Sequence, residues 1–395
     1  MHPCRNVVTA ASLGLLAVLT IGPLLLESWL LQFRRAVILA PYSSTTATVS
    51  SIALVLLLMG FALAVRARLD RPSEPNATAN IILFAALAGL MTLLHWLEVD
   101  SRHSEWERDL YERLLNHEYD APHNYRPLPY GFARLLEWIT HQWMFSCLSY
   151  RWFFTFWFVW ASYRLARRYL NPTRALGTLL PLVLLYPISI LHYQGQLTDP
   201  ISHTLFVLAF IYLLEDRPLA LAAALALGVL AKETVVLVAP AYLACYWRRG
   251  WRSWVIAAGL GGACVASFLA ARLPLGWRPG GDNLNGVGLV IAPNLGFARS
   301  NALLIVPVWE NLLHPVLFVG VFLPFLVRRW RHIPSHLRTL FLVVTPLLLL
   351  SNLCFGWLYE SRNYMPLVPL LATMAMPPAG RATQAEVEEL QRVGT

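Results

Sequence analysis

The stretch Leu219–Pro240, LALAAALALGVLAKETVVLVAP, decides how this chain is read. Its first half is aliphatic on every side, without the polar face that a surface helix of a soluble domain carries. Lys232-Glu233-Thr234 interrupts the run before a second aliphatic stretch resumes. Ionisable groups are costly at membrane depth and usually serve a purpose there. Two apolar segments hinged on a charged triplet therefore describe a membrane hairpin with its bend at a boundary or in a cavity.

The rest of the chain follows the same pattern. Its 395 residues are 57% hydrophobic and only 13% charged, with a mean hydropathy of +0.52. A soluble domain carries about 25% charged residues, so a water-soluble core of this size is excluded. The expected class is an all-α polytopic membrane protein, since helices satisfy their own backbone in lipid. Apolar runs long enough to span fall near 7–26, 47–66, 80–99, 144–165, 174–191, 201–214, 217–231, 234–247, 253–270, 311–328, 338–355 and 364–380, about twelve in all. The five cysteines lie far apart and form no C-x-x-C pair, which excludes a zinc or disulfide scaffold.

The net charge of +9 sits in short basic clusters between apolar runs, a topology signal rather than a nucleic-acid surface. Arg66–Arg71, Arg164–Arg174, Arg217, Arg248–Arg252 and Arg328–Arg331 follow even-numbered spans, which places both termini in the cytoplasm. Arg34 and Arg35 run against this assignment. Two stretches on the opposite face are long, 100–143 and 271–310, the second rich in Gly and Asn. Long loops on a rigid frame are where function concentrates.

Eight of the 22 acidic residues fall between Glu98 and Asp120, and five of the 11 histidines between His95 and His141. Trp106, Leu110 and Leu114 recur every four residues, and Phe132, Leu135, Leu136 and Ile139 share a second face. Both segments read as amphipathic helices lying along the membrane surface. Asn124–Tyr130, with Pro127 and Pro129, reads as a rigid extended link between them. Asp100 directly follows an apolar span, where a partly desolvated carboxylate suits removal of a proton from a hydroxyl; the alternative is a solvated helix cap. Asp199, followed by Pro200, is its rival, and Glu105 a further acidic candidate.

Three polar insertions share that external face: His192–Pro200, Lys232-Glu233-Thr234 and Glu360-Ser361-Arg362-Asn363-Tyr364. Lys232 either pairs with Glu233 or faces a cavity and holds a phosphate. The forked guanidinium of Arg362 binds phosphate oxygens in pairs. Together they describe an outward-open cavity in which Lys232 and Arg362 hold an anionic headgroup. Asp100, Glu105, Asp120, Asp199 and nearby histidines form a candidate oxygen-rich site for Mg²⁺ or Mn²⁺.

This arrangement resembles the GT-C superfamily of integral-membrane glycosyltransferases, which use polyprenyl-phosphate-linked sugars as donors. In that family an acidic residue after an early span precedes two surface helices joined by a proline-rich element. Asp100, the helix near 103–116, Arg126-Pro127-Leu128-Pro129-Tyr130 and the helix to 142 follow that order. A lysine opening a later helix that ends in an arginine pair is similar to Lys232 with Arg248-Arg249, and Arg362-Asn363-Tyr364-Met365-Pro366 echoes the family's late arginine–tyrosine motif. Two departures stand out: the usual Asp-Glu pair is Asp100-Ser101 here, and Arg126 replaces a histidine before Pro127.

The resemblance implies a catalytic module over 80–380, preceded by two additional transmembrane helices in 1–79 and followed by a short cytoplasmic tail, 381–395. It implies transfer of a sugar from a polyprenyl-phosphate donor to a glycan, lipid or protein acceptor of the cell envelope. The expected location is a bacterial inner membrane, with the site on the periplasmic side. Asp100, Asp199 and Glu105 are the candidate catalytic residues; Lys232, Arg362, Arg126, Tyr364 and Glu360 are the candidate substrate-binding set. The competing functions are a transporter or flippase for a lipid-linked or anionic solute, and an O-antigen ligase- or polymerase-like enzyme. A transporter usually carries an internal repeat with broken helices at matching depth, and no repeat is evident here.

Overall fold

The computed structural model describes residues 77–96, 99, 108–109, 111–113, 116, 125–190, 197–275, 315–356, 358 and 360–377. Among the described residues the protein is entirely helical, with no strand. The principal helices are α1 Ala77–His95, α2 Pro127–Thr140, α3 Trp143–Arg167, α4 Pro172–Gly177, α5 Leu179–Ser189, α6 Thr198–Leu214, α7 Pro218–Ala231, α8 Ala239–Tyr246, α9 Trp251–Arg272, α10 Leu323–Arg329, α11 Ser335–Phe355 and α12 Leu367–Ala375.

Three of them, α1, α9 and most of α11, are long and apolar enough to cross a membrane. That is fewer than the twelve spans expected from hydropathy. The expected spans 7–26 and 47–66 lie outside the described residues, and others are divided into shorter pieces. Within 174–191 the helix breaks at Thr178, and within 311–328 a 3₁₀ turn at Gly320–Phe322 precedes α10. Only 11% of the apolar window of α9 is buried inside the protein, so most of its apolar surface faces outward.

Proline sets many of the boundaries. Pro127, Pro172 and Pro218 each stand in the first turn of a helix, where a missing N–H removes no intrahelical bond. This corrects the reading of Asn124–Tyr130 as an extended link: α2 already starts at Pro127, and Pro129 stands within its first turn. His141, at φ 54°, closes α2 in the left-handed conformation, and its N–H bonds the carbonyl of Glu137 at 2.7 Å. The paired surface-helix expectation is described in part only. Arg108–Asp109 and Tyr111–Arg113 are helical, whereas Trp106, Leu110 and Leu114 lie outside the described residues.

The core runs through α1, α3, α5, α6, α7, α8, α11 and α12, with Phe84, Met91, Phe158, Phe206, Phe210, Tyr242 and Tyr364 buried in one cluster. A second cluster joins α2 to α3 and α6 through Tyr130, Trp143, Tyr150 and Ile201. The Tyr150 hydroxyl donates to the carbonyl of Leu197 at 2.7 Å, which ties the start of α6 to the middle of α3. α6 is thereby fixed at its polar end. Its other end is held by Glu215, whose carboxylate meets Arg164 at 3.1 Å and Arg217 at 3.3 Å. At 1.5 Å per residue, roughly 25 Å of apolar helix separates these two charged ends.

Candidate functional site

Two bends and a helix start bring the polar residues together. α6 begins Thr198-Asp199-Pro200, so the Asp199 carboxylate lies in a first turn, where backbone N–H dipoles favour negative charge. α7 ends at Ala231, and Lys232 leaves it with extended backbone while its N–H still bonds Gly228 at 2.7 Å. The chain then turns into a 3₁₀ segment, Glu233–Val238. A second 3₁₀ turn, Ser361–Tyr364, is anchored by the Ser361 hydroxyl on the carbonyl of Ile188 at 2.9 Å.

Five side chains from these segments close into a ring. Lys232 Nζ donates to Asp199 Oδ1 at 2.7 Å and to Asn363 Oδ1 at 2.5 Å. The Asn363 amide donates to Glu360 Oε2 and to Asn352 Oδ1, each at 3.0 Å. Arg362 completes the circuit, 3.4 Å from Glu360 Oε2 and 3.4 Å from Asp199 Oδ2. Two cations and two carboxylates balance within the ring. Such buried charges require pairing, because taking an ion out of water costs several kcal/mol.

The two cations are held differently. The Lys232 contacts to Asp199 and Asn363 are short, whereas those of Arg362 to Asp199 and Glu360 lie beyond the usual 2.7–3.2 Å hydrogen-bond range. Arg362 also lines a cleft between α1, α3, α5 and α6, together with His95, Arg151, Thr155, Asp199 and His203. Lys232 does not reach that cleft lining. Arg362 thus stands on the cleft wall, and Lys232 stands behind it within the ring.

A second buried assembly stands behind the first. Glu233 Oε2 accepts from Arg126 Nε at 3.0 Å and Nη2 at 2.8 Å, and Glu233 Oε1 accepts from Arg272 at 2.6 Å. The Arg272 guanidinium lies 3.6 Å from the Phe268 ring centroid and 4.9 Å from that of Tyr125. Adjacent residues Lys232 and Glu233 thus serve different clusters, and the expected alternative of a Lys232–Glu233 pair is replaced by Lys232–Asp199.

Of the residues singled out from sequence, Asp199, Lys232, Glu360 and Arg362 meet in the ring. Arg126 belongs instead to the second assembly, on Glu233. Tyr364 stands apart: its hydroxyl donates to the carbonyl of Leu358 at 3.0 Å and its ring is fully buried in the core near Phe318. Asp100 and Glu105 lie outside the described residues. Sequence reasoning named Glu233 and Asn363 within the polar insertions without giving them a site role, and passed over Arg272 and His203. The signal for His203 was available, since positions i and i+4 share one helix face and Asp199 occupies the first.

Near the cleft, on α2, the Tyr130 hydroxyl is buried with no hydrogen-bond partner among the described residues. Desolvation raises its ionisation range, so it remains a neutral phenol. Tyr111 is likewise raised, first by burial and then by its 2.9 Å hydrogen bond to the Glu137 carboxylate. Among the described residues no group of three or more His, Cys, Asp or Glu side chains is arranged to hold a metal ion.

A cleft with a forked cation on its wall and a charge-balanced ring behind it is suited to exchanging an internal carboxylate for an external anion. No protein-family model matches this chain, and neither the curated proteins nor the solved structures contain a match.

Proposed function

We propose that the chain is a multi-pass membrane glycosyltransferase with a GT-C-like frame, moving a sugar from a polyprenyl-phosphate donor to an acceptor hydroxyl. The observation that carries this reading is the position of Arg362 on the cleft wall, beside a buried Asp199–Lys232 pair. A donor phosphate approaching the cleft takes over the guanidinium face now shared between Asp199 and Glu360. The cation then stabilises charge on the departing phosphate as the glycosidic bond breaks. Arg suits this task because its planar fork matches two phosphate oxygens.

The apolar outward surface of α9 and the basic clusters at Arg164–Arg168 and Arg248–Arg252 support a membrane setting with those clusters in the cytoplasm. On that orientation the cleft opens to the periplasmic side of a bacterial inner membrane, about twelve spans form the frame, and the acceptor is a glycan, lipid or protein of the cell envelope. Of the residues expected to form a Mg²⁺ or Mn²⁺ site, Asp199 faces Lys232 and Arg362, and Asp100, Glu105 and Asp120 lie outside the described residues.

The test uses the purified chain in lipid nanodiscs, a panel of polyprenyl-phosphate hexoses and pentoses, and a cell-envelope extract as acceptor. Donor binding and release of polyprenyl phosphate are expected from the parent and lost in Arg362→Ala. Movement of intact donor across a sealed vesicle without its consumption favours the flippase reading instead.

A further inference from the structure

His203 follows Asp199 by one turn of α6 and lines the same cleft as Arg362. The residue is more than nine-tenths buried, with 8% of its surface exposed. Its ring packs 5.4 Å from that of Phe158. The ring nitrogen Nε2 has no hydrogen-bond partner among the described residues. In a neutral imidazole one nitrogen donates and the other accepts. Nε2, the unpartnered nitrogen of a residue on the cleft wall, is the one left to accept from a group bound there. A buried acceptor left open in this way is normally matched by a ligand or water.

Asp199 is poorly placed to act as a base, because each of its oxygens already faces a cation. It is well placed to stabilise a positive charge one turn further along its own helix. We propose that His203 is the catalytic base of the transfer, an assignment that rests on the glycosyltransferase reading above. The acceptor O–H gives its proton to Nε2, and the oxygen lone pair forms the new bond to the anomeric carbon. The bond from that carbon to the phosphate oxygen breaks, and its electron pair leaves with the phosphate at Arg362. Asp199 offsets the imidazolium until the proton passes to solvent. Displacement from the side opposite the phosphate inverts the anomeric centre.

His203→Gln and Asp100→Asn are compared with the parent in the nanodisc assay, each checked for folding by size-exclusion and thermal unfolding. H203Q is expected to bind donor as the parent does and to release polyprenyl phosphate about 10²–10⁴-fold more slowly. H203Q turning over at the parental rate overturns the assignment, most directly if D100N is the slow variant, and leaves the transferase reading intact. Absence of donor binding by the parent overturns both. Should H203Q fail to fold, ¹⁵N-histidine NMR of the parent decides, with His203 assigned through its contact to Phe158. An unprotonated Nε2 is expected, and a protonated Nε2 overturns the proposal.

Discussion

Gly228 and Val235 meet face to face across the bend that carries Lys232: a Cβ at position 228 would lie 2.5 Å from Val235 Cγ1 and 2.8 Å from Val235 Cβ. Valine is stiff at χ1 and cannot swing aside, so the backbone must yield. Gly228→Ala is expected to lower stability by about 1–3 kcal/mol, read as a drop in thermal midpoint, and to reduce transfer by displacing Lys232. Val235→Ala in the same chain removes the Cγ contacts but keeps the 2.8 Å approach of Cβ, so it should restore only part of both. A G228A variant with parental stability and activity would show that the bend tolerates a wider gap.

Removing one member of a buried ion pair leaves the other uncompensated. Lys232→Met is expected to cost about 3–5 kcal/mol, whereas Lys232→Met with Asp199→Asn should cost less than the sum of the two single changes. The check is a double-mutant cycle on unfolding free energies in detergent. Strict additivity would mean that the 2.7 Å contact contributes nothing to the fold.

Arg362→Lys keeps the charge and loses the fork. One charge-assisted hydrogen bond is worth about 1.5–3 kcal/mol, so donor affinity should fall roughly tenfold to a hundredfold. Titration of polyprenyl-phosphate sugars against both chains measures this. Equal affinities would place the phosphate elsewhere.

The Tyr111–Glu137 bond sets a pH dependence outside the spans. The folded phenol ionises above its unfolded range, so the folded state holds this proton more tightly. Its contribution is fully present below the unfolded value of about 10 and declines as pH rises from there through the folded value. Tyr111→Phe should cost about 1 kcal/mol at neutral pH and flatten the alkaline decline in stability. An unchanged slope above pH 10 in Y111F would assign that decline to other groups.

Hydropathy made the helical class legible, whereas the prolines that start α2, α4 and α7 were not read as helix starts and Pro127 was read as part of an extended link. Span count was harder to read, because apolar composition does not reveal where a helix breaks, as at Thr178 or between Ala231 and Glu233. Lys232, Arg362 and Asp199 were visible as charged residues at the ends of apolar runs. Their partners were not, since Asn363 bonds Lys232 across 131 positions and Arg126 bonds Glu233 across 107. No local pattern encodes a contact of that separation. Tyr364 illustrates the reverse error: its place beside Arg362 suggested ligand contact, yet the 3₁₀ turn sends it into the core.

The ring also sets an order of assembly. Asp199 and Lys232 are 33 positions apart and can pair as soon as α6 and α7 have been synthesised. Glu360, Arg362 and Asn363 arrive more than a hundred residues later, just ahead of the terminal helix α12. Throughout that interval the half-built pair lacks its amide and its second cation. A chain truncated before Glu360 should therefore hold Asp199 and Lys232 as a bare pair and be degraded faster than the full chain, even though most of the described helices precede that point.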